Sequence, residues 1–114
     1  MRTLMDAVLL RIHASERDRF GHQPFHEAVV AKAREAGLKG ATVLRGVIGY
    51  GHDSRIHTAK ILDLSVDLPL VIEIVDDEAS ITAFLPTLDG MMEFGLVTLE
   101  KVRVLRYGAP QDAA

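Results

Sequence analysis

With 114 residues, 48% of them hydrophobic, the chain has room for one compact domain with a modest core and none for a second. A formal net charge of −3 leaves no basic stripe for phosphates and argues against a general nucleic-acid binder. The absence of cysteine excludes disulfides, thiolate metal sites and cysteine nucleophiles. No apolar run is long enough to span a bilayer. The opening Met1–His13, interrupted by Asp6 and lacking a small-residue cleavage site, reads as a strand rather than a signal peptide, so a cytoplasmic setting is expected.

In chain order, Leu4–His13 is rich in Val, Leu and Ile and predicts a first strand, and Ser15–His22 supplies turn chemistry after it. Pro24 suits the first turn of a helix in which Phe25, Ala28, Val29, Ala33 and Ala36 recur at three- and four-residue spacing until Gly37 stops it. Ala41–Ile48 is the second strand, with Gly46 marking a bulge or a close backbone approach. Leu68–Val75 is the third. Asp76 and Asp77 then offer oxygens to cap a second helix whose buried face is Ile81, Phe84, Leu85 and Leu88. Pro86 lies inside that pattern and should kink the helix or mark its first turn. Val97–Tyr107 is the final strand, with Glu100 and Lys101 as its weak point, and Gly108–Ala114 reads as a disordered tail.

Strand, helix, strand, strand, helix, strand is the ferredoxin-like order, so the expected class is α+β: a βαββαβ sandwich forming one domain over residues 1–108. In Leu70–Val75 five of six residues are apolar, and the first two strands also carry apolar side chains on both faces. An open sheet face of that kind should bury itself in an oligomer. Between strands 2 and 3, the polar, glycine-headed stretch Gly49–Ile61 is too long for an ordinary hairpin turn and is expected to be the working part.

Each candidate residue has a structural alternative. Gly49 and Gly51 either admit a ligand or only permit unusual backbone angles. Arg45, Arg55 and Lys60 either meet phosphate or pair with Asp53 or Asp63. His22 and His26, four apart, make a weak metal pair if the helix starts early enough, and His52 and His57 could share a metal in the loop. Asp53, Ser54 and His57 are the residue types of a hydrolytic triad, but a loop does not hold reacting atoms in place, so the chain does not read as an enzyme. Glu73, in mid-strand among aliphatics, needs a cation, and Arg45 and Arg103 are the candidates.

Gly37-Leu-Lys-Gly40-Ala-Thr42-Val43 followed by Gly49-Tyr50-Gly51 resembles the pattern with which the nitrogen regulatory PII proteins enter their T-loop. Ala33–Leu38, Gly40–Gly46, Ser54–Leu62, Asp67–Val75 and Gly95–Glu100 look like one bacterial and archaeal branch of that PII-like superfamily, of unknown function and sometimes encoded beside fluoride-channel genes. The resemblance implies a homotrimer that binds an adenine nucleotide or other small effector between subunits and moves its loop to control a partner, such as a membrane channel or transporter. Carried over by position, Thr42, Gly49, Gly51 and His52 would line the cleft and Arg103 would face phosphates; Arg45 and Glu73 complete the ligand set. Ser54, Arg55, Ile56, His57 and Lys60 would meet the partner. His52 replaces the usual glutamine, and Met91-Met92-Glu93-Phe94-Gly95-Leu96 replaces a glycine-and-basic phosphate loop, so AMP, ADP or a cyclic nucleotide fits better than ATP. Two other readings remain: a ligand-free scaffold with a permanently docked loop, and a divalent-metal-binding trimer.

Overall fold

The computed structural model describes residues 4–51, 55–58, 67–93 and 95–105. Its centre is a four-stranded antiparallel sheet of β1 (Met5–Ser15), β4 (Thr42–Arg45), β7 (Pro69–Asp76) and β8 (Leu96–Val104), in the order β4-β7-β1-β8. Helices α1 (Phe25–Glu35) and α2 (Glu78–Asp89) supply the apolar stripes that pack against it. This is the α+β, ferredoxin-like arrangement expected from the order of elements.

Alternation along the strands decides which side chains meet the helices. Leu10 and Ile12 of β1 lie opposite Ile74 and Ile72 of β7, and with Val29, Ile81, Phe84 and Leu88 they form a core that is almost wholly sealed from water. On the other face the registers align side chains in rows across the sheet. Leu96, His13, Val71 and Leu44 form one row and Thr98, Arg11, Glu73 and Thr42 the next, while Leu9 and Val75 pair beyond it. The open face is therefore apolar at its ends but crossed by a polar row, which the compositional reading of Leu70–Val75 did not anticipate. Glu73 is satisfied within that row: Arg11 Nε donates to its Oε2 at 2.9 Å. Arg45 and Arg103, the cations expected for it, occupy register positions on the opposite face.

Helix α1 begins immediately after Pro24, which stands at the cap position with φ −59° rather than inside the first turn. It ends as Gly37 turns to φ +82° and the N–H groups of Gly37 and Leu38 return to the carbonyls of Arg34 and Ala33. Pro86 is in the later half of α2, not its first turn. Thr82, whose carbonyl loses its partner to the proline ring, lies on the exposed side with it.

Asp76 and Asp77 do different work. Asp77 caps α2, its Oδ1 accepting from Ser80 N at 2.7 Å. Asp76, only 4% exposed, accepts from Lys39 N at 2.9 Å, Lys39 Nζ at 3.2 Å and Asp77 N at 2.8 Å, clamping the α1–β4 connection to the β7–α2 junction. The Ser80 hydrogen bonds hold the Asp77 carboxyl below its ordinary value, with Lys39 adding to the effect. A depressed folded-state pKa stabilises the protein above the unfolded-state value and loses that contribution as pH falls through the folded one. We expect Asp77→Ala to be less stable than wild type at neutral pH and to converge with it in acid, as read from urea midpoints across a pH series.

Three local features differ from the sequence expectation. The second strand stops at Arg45 instead of Ile48, because Gly46 crosses Pro69 so closely that a Cβ would lie 2.9 Å from the ring. The chain then forms a small ribbon, β5 (Ile48–Gly49) with β6 (His57–Thr58), from the expected end of the second strand into the stretch that reads as loop. The first turn likewise contains a hairpin, β2 (Arg19–Phe20) with β3 (Gln23–Pro24), closed through Gly21 at φ +62°. Glu100 and Lys101 do not break β8, an edge strand on which polar side chains reach water. Tyr107 and the tail from Gly108 lie outside the described residues.

Candidate functional site

A groove of about 830 Å³ opens at the end of the sheet where β1 gives way to its turn. Its volume is in the range of sites that take small organic ligands. One wall is the turn, with Arg17, Asp18 and Arg19; a second is the ribbon base, Gly49–Gly51 with His57; the third is the α2–β8 connection, with Met91, Met92, Glu93 and Gly95.

Each wall is positioned by identifiable contacts. Asp67 and Leu68 bring the chain back from the long connection onto the first turn. Asp67 Oδ1 accepts from Arg17 N at 3.0 Å, its Oδ2 lies 3.3 Å from Ser15 Oγ, and Glu16 N donates to Leu68 O at 3.0 Å. Asp18 folds back on the same serine, its Oδ2 accepting from Ser15 N at 2.9 Å. The ribbon base is held against Pro69: Gly46 N donates to Pro69 O at 2.7 Å, and a Cβ on Gly49 would approach the proline ring to 3.0 Å. Gly95, at φ +143°, passes under the methyl end of Met92, where a Cβ would lie at 2.7 Å. Met91 is largely in the core, so Met92 is the methionine that gives this wall its apolar character.

Of the ligand residues named from sequence, Gly49 and Gly51 reach the groove, and His57 joins them although it was assigned to partner contact. The close approach that requires glycine is at Gly46 and Gly49; nothing lies within 4 Å of a Cβ on Gly51, so that position is not sterically restricted. Thr42 and Glu73 are elsewhere, side by side in the polar row of the open face. Arg45 is ion-paired with Glu16 beside a smaller cavity that also includes His26 and Glu27. Arg103 stands opposite Asp6 on β8, seven residues along the strand from Leu96 at the groove, or roughly 23 Å away at the usual strand rise. One chain therefore does not gather the expected ligand set.

Arg55 and Ile56 are exposed just before β6. His52, Asp53, Ser54, Lys60 and Asp63 lie outside the described residues. His22 is in the β2–β3 turn, so it and His26 do not share a helical face. Among the described residues no three of the His, Asp and Glu side chains are grouped as a metal site. Sequence reasoning missed Arg17, Arg19 and Asp67 at the groove. Asp67 had a readable signal, since it precedes Leu68-Pro69 where the chain must re-enter the sheet.

The strand order, the helix layer and a groove between the ribbon base and the α2–β8 connection define a PII-like fold. Among the solved structures that share it are two of particular use. One is CPII of Thiomonas intermedia, a nitrogen regulatory PII-like protein bound to ADP, AMP and bicarbonate, with TM-score 0.62, 19% identity, and 93% of this chain and 94% of that chain covered. The other is a PII-like protein of Thermus thermophilus, with TM-score 0.65, 19% identity, and 90% and 92% covered.

Within that fold the chain belongs to the DUF190 family, described as "Uncharacterized ACR, COG1993", which it matches over residues 7–104. A UPF0166 protein of Aquifex aeolicus is 43% identical over 97 residues, covering 85% of this chain and 91% of that protein. Another, from Methanocaldococcus jannaschii, is 35% identical over 85 residues, covering 75% and 78%.

Proposed function

We propose that this protein is a PII-like regulatory protein that binds a small effector, an adenine nucleotide of the AMP or ADP size, and transmits its presence to a partner protein through the segment between β5 and β7. The observation that carries the reading is the groove itself: its ribbon base and the return at Asp67 are the two ends of that segment, so a ligand there touches both. CPII, which shares the fold, was obtained with ADP and AMP. We take the protein to act by binding rather than catalysis and to work as a cytoplasmic homotrimer. Apolar positions on the open sheet face, including Leu44 at 50% and Leu96 at 55% exposure, supply a surface for subunit contact. Arg103 reaches a groove only from a neighbouring copy. None of the described helices is long and apolar enough to cross a membrane.

A ligand selective for the folded protein raises its stability by about 2.7 kcal/mol at a hundredfold excess over Kd. Thermal unfolding against AMP, ADP, ATP and cyclic AMP, each with a matched salt control, should show a saturable rise with AMP or ADP and a smaller one with ATP. No shift with any nucleotide would overturn the effector assignment and favour the scaffold reading.

A further inference from the structure

The charges around the groove are unevenly committed. Asp18 and Asp67 direct their oxygens into the turn, onto Ser15 and the Arg17 N–H. Arg19, exposed on the same wall, donates through Nη2 to the His22 carbonyl at 2.6 Å, and among the described residues no carboxylate is within ion-pair distance of it. A guanidinium has five N–H donors, so with respect to the described residues its charge is uncompensated and most of its donors are available. Arg17 carries a second guanidinium on that wall. Glu93 lies on the opposite wall, where it repels an anion and accepts from hydroxyl or amino donors, while Tyr50 and Met92 offer flat and apolar surface.

We propose that Arg19, assisted by Arg17, is the cationic contact of this groove, so that an organic phosphate binds with its phosphate toward the β1–β2 turn and its ring toward Tyr50 and Met92. The assignment rests on the groove being the effector site. It differs from the sequence expectation, in which Arg45 and Arg103 met the phosphates, because neither lines the groove of its own chain.

The test is calorimetric titration of wild type, Arg19→Ala and Arg19→Gln with AMP and with adenosine. Wild type should prefer AMP. Arg19→Ala should lose about tenfold in AMP affinity, the scale of one charge-assisted hydrogen bond, with adenosine binding unchanged. Arg19→Gln keeps a donor for the His22 carbonyl and should show the same loss. If the glutamine variant recovered wild-type AMP affinity, Arg19 would only be shaping the hairpin. If the ratio of AMP to adenosine affinity were the same in all three proteins, the phosphate assignment would fall while the groove remained the site. Binding of neither ligand to wild type would remove the groove reading and this proposal together.

Discussion

Asp76→Ala is expected to cost about 2–4 kcal/mol of folding stability, because it removes a buried carboxylate that accepts three hydrogen bonds; a bond to a charged group contributes about 1.5–3 kcal/mol, and the partners here, being exposed, recover part of it from water. The carboxylate is 4% exposed and gathers two backbone N–H groups, of Lys39 and Asp77, along with the Lys39 ammonium. Alanine has no acceptor for any of them. Since whole domains are stable by only about 5–15 kcal/mol, the loss is a large share of the total. Asp76→Asn keeps one carbonyl oxygen and should fall between the two. Urea unfolding at neutral pH is the check, and midpoints within error of wild type would show that the clamp contributes nothing.

Val71→Asp is expected to convert an assembled species to monomers at micromolar concentration without unfolding them. Val71 lies in the open-face row between His13 and Leu44, on the side of the sheet away from both helices, so a carboxylate there is hydrated in the isolated chain. In a trimer closed through this face it would be brought close to its symmetry copies, and a charge taken out of water without a partner costs several kcal/mol. Size exclusion with light scattering, alongside far-ultraviolet circular dichroism, separates dissociation from unfolding. A variant that keeps the wild-type mass would move the subunit interface to another surface.

Most of the architecture was legible because it depends on local periodicity. The α1 stripe, the Gly37 stop and the alternation of Val8, Leu10 and Ile12 are all visible within short windows. Pairing was not legible. Nothing near Glu73 announces that Arg11, 62 positions earlier, will face it; that follows from the β1–β7 register, which the whole sheet determines. The ribbon and hairpin strands are two residues each, too short to have a period, so the sequence shows neither pairing and divides their residues among strand, helix and loop. Gly46 reads from sequence as a bulge or a close approach; the structure has the approach, and Pro69, which makes it close, is visible only in three dimensions. The site was half legible for the same reason. Gly49 and Gly51 stand out as a motif, whereas Arg17 and Arg19 look like ordinary turn residues until the hairpin brings them to the groove.

One of the two inner strands of the sheet also determines when this protein can fold. β1 is the first element in the chain, yet both its neighbours come late: Leu9 pairs with Val75 on one side and Glu100 on the other, separations of 75 − 9 = 66 and 100 − 9 = 91 positions. Closing such loops consumes chain entropy before any contact is gained, and topologies rich in distant pairings fold slowly. On the ribosome, β1 has no sheet neighbour until β7 has emerged, and its second, β8, follows only later. During that interval the apolar β1 segment has neither of its sheet neighbours, so synthesis, more than the finished fold, is the stage at which the protein is most exposed to aggregation.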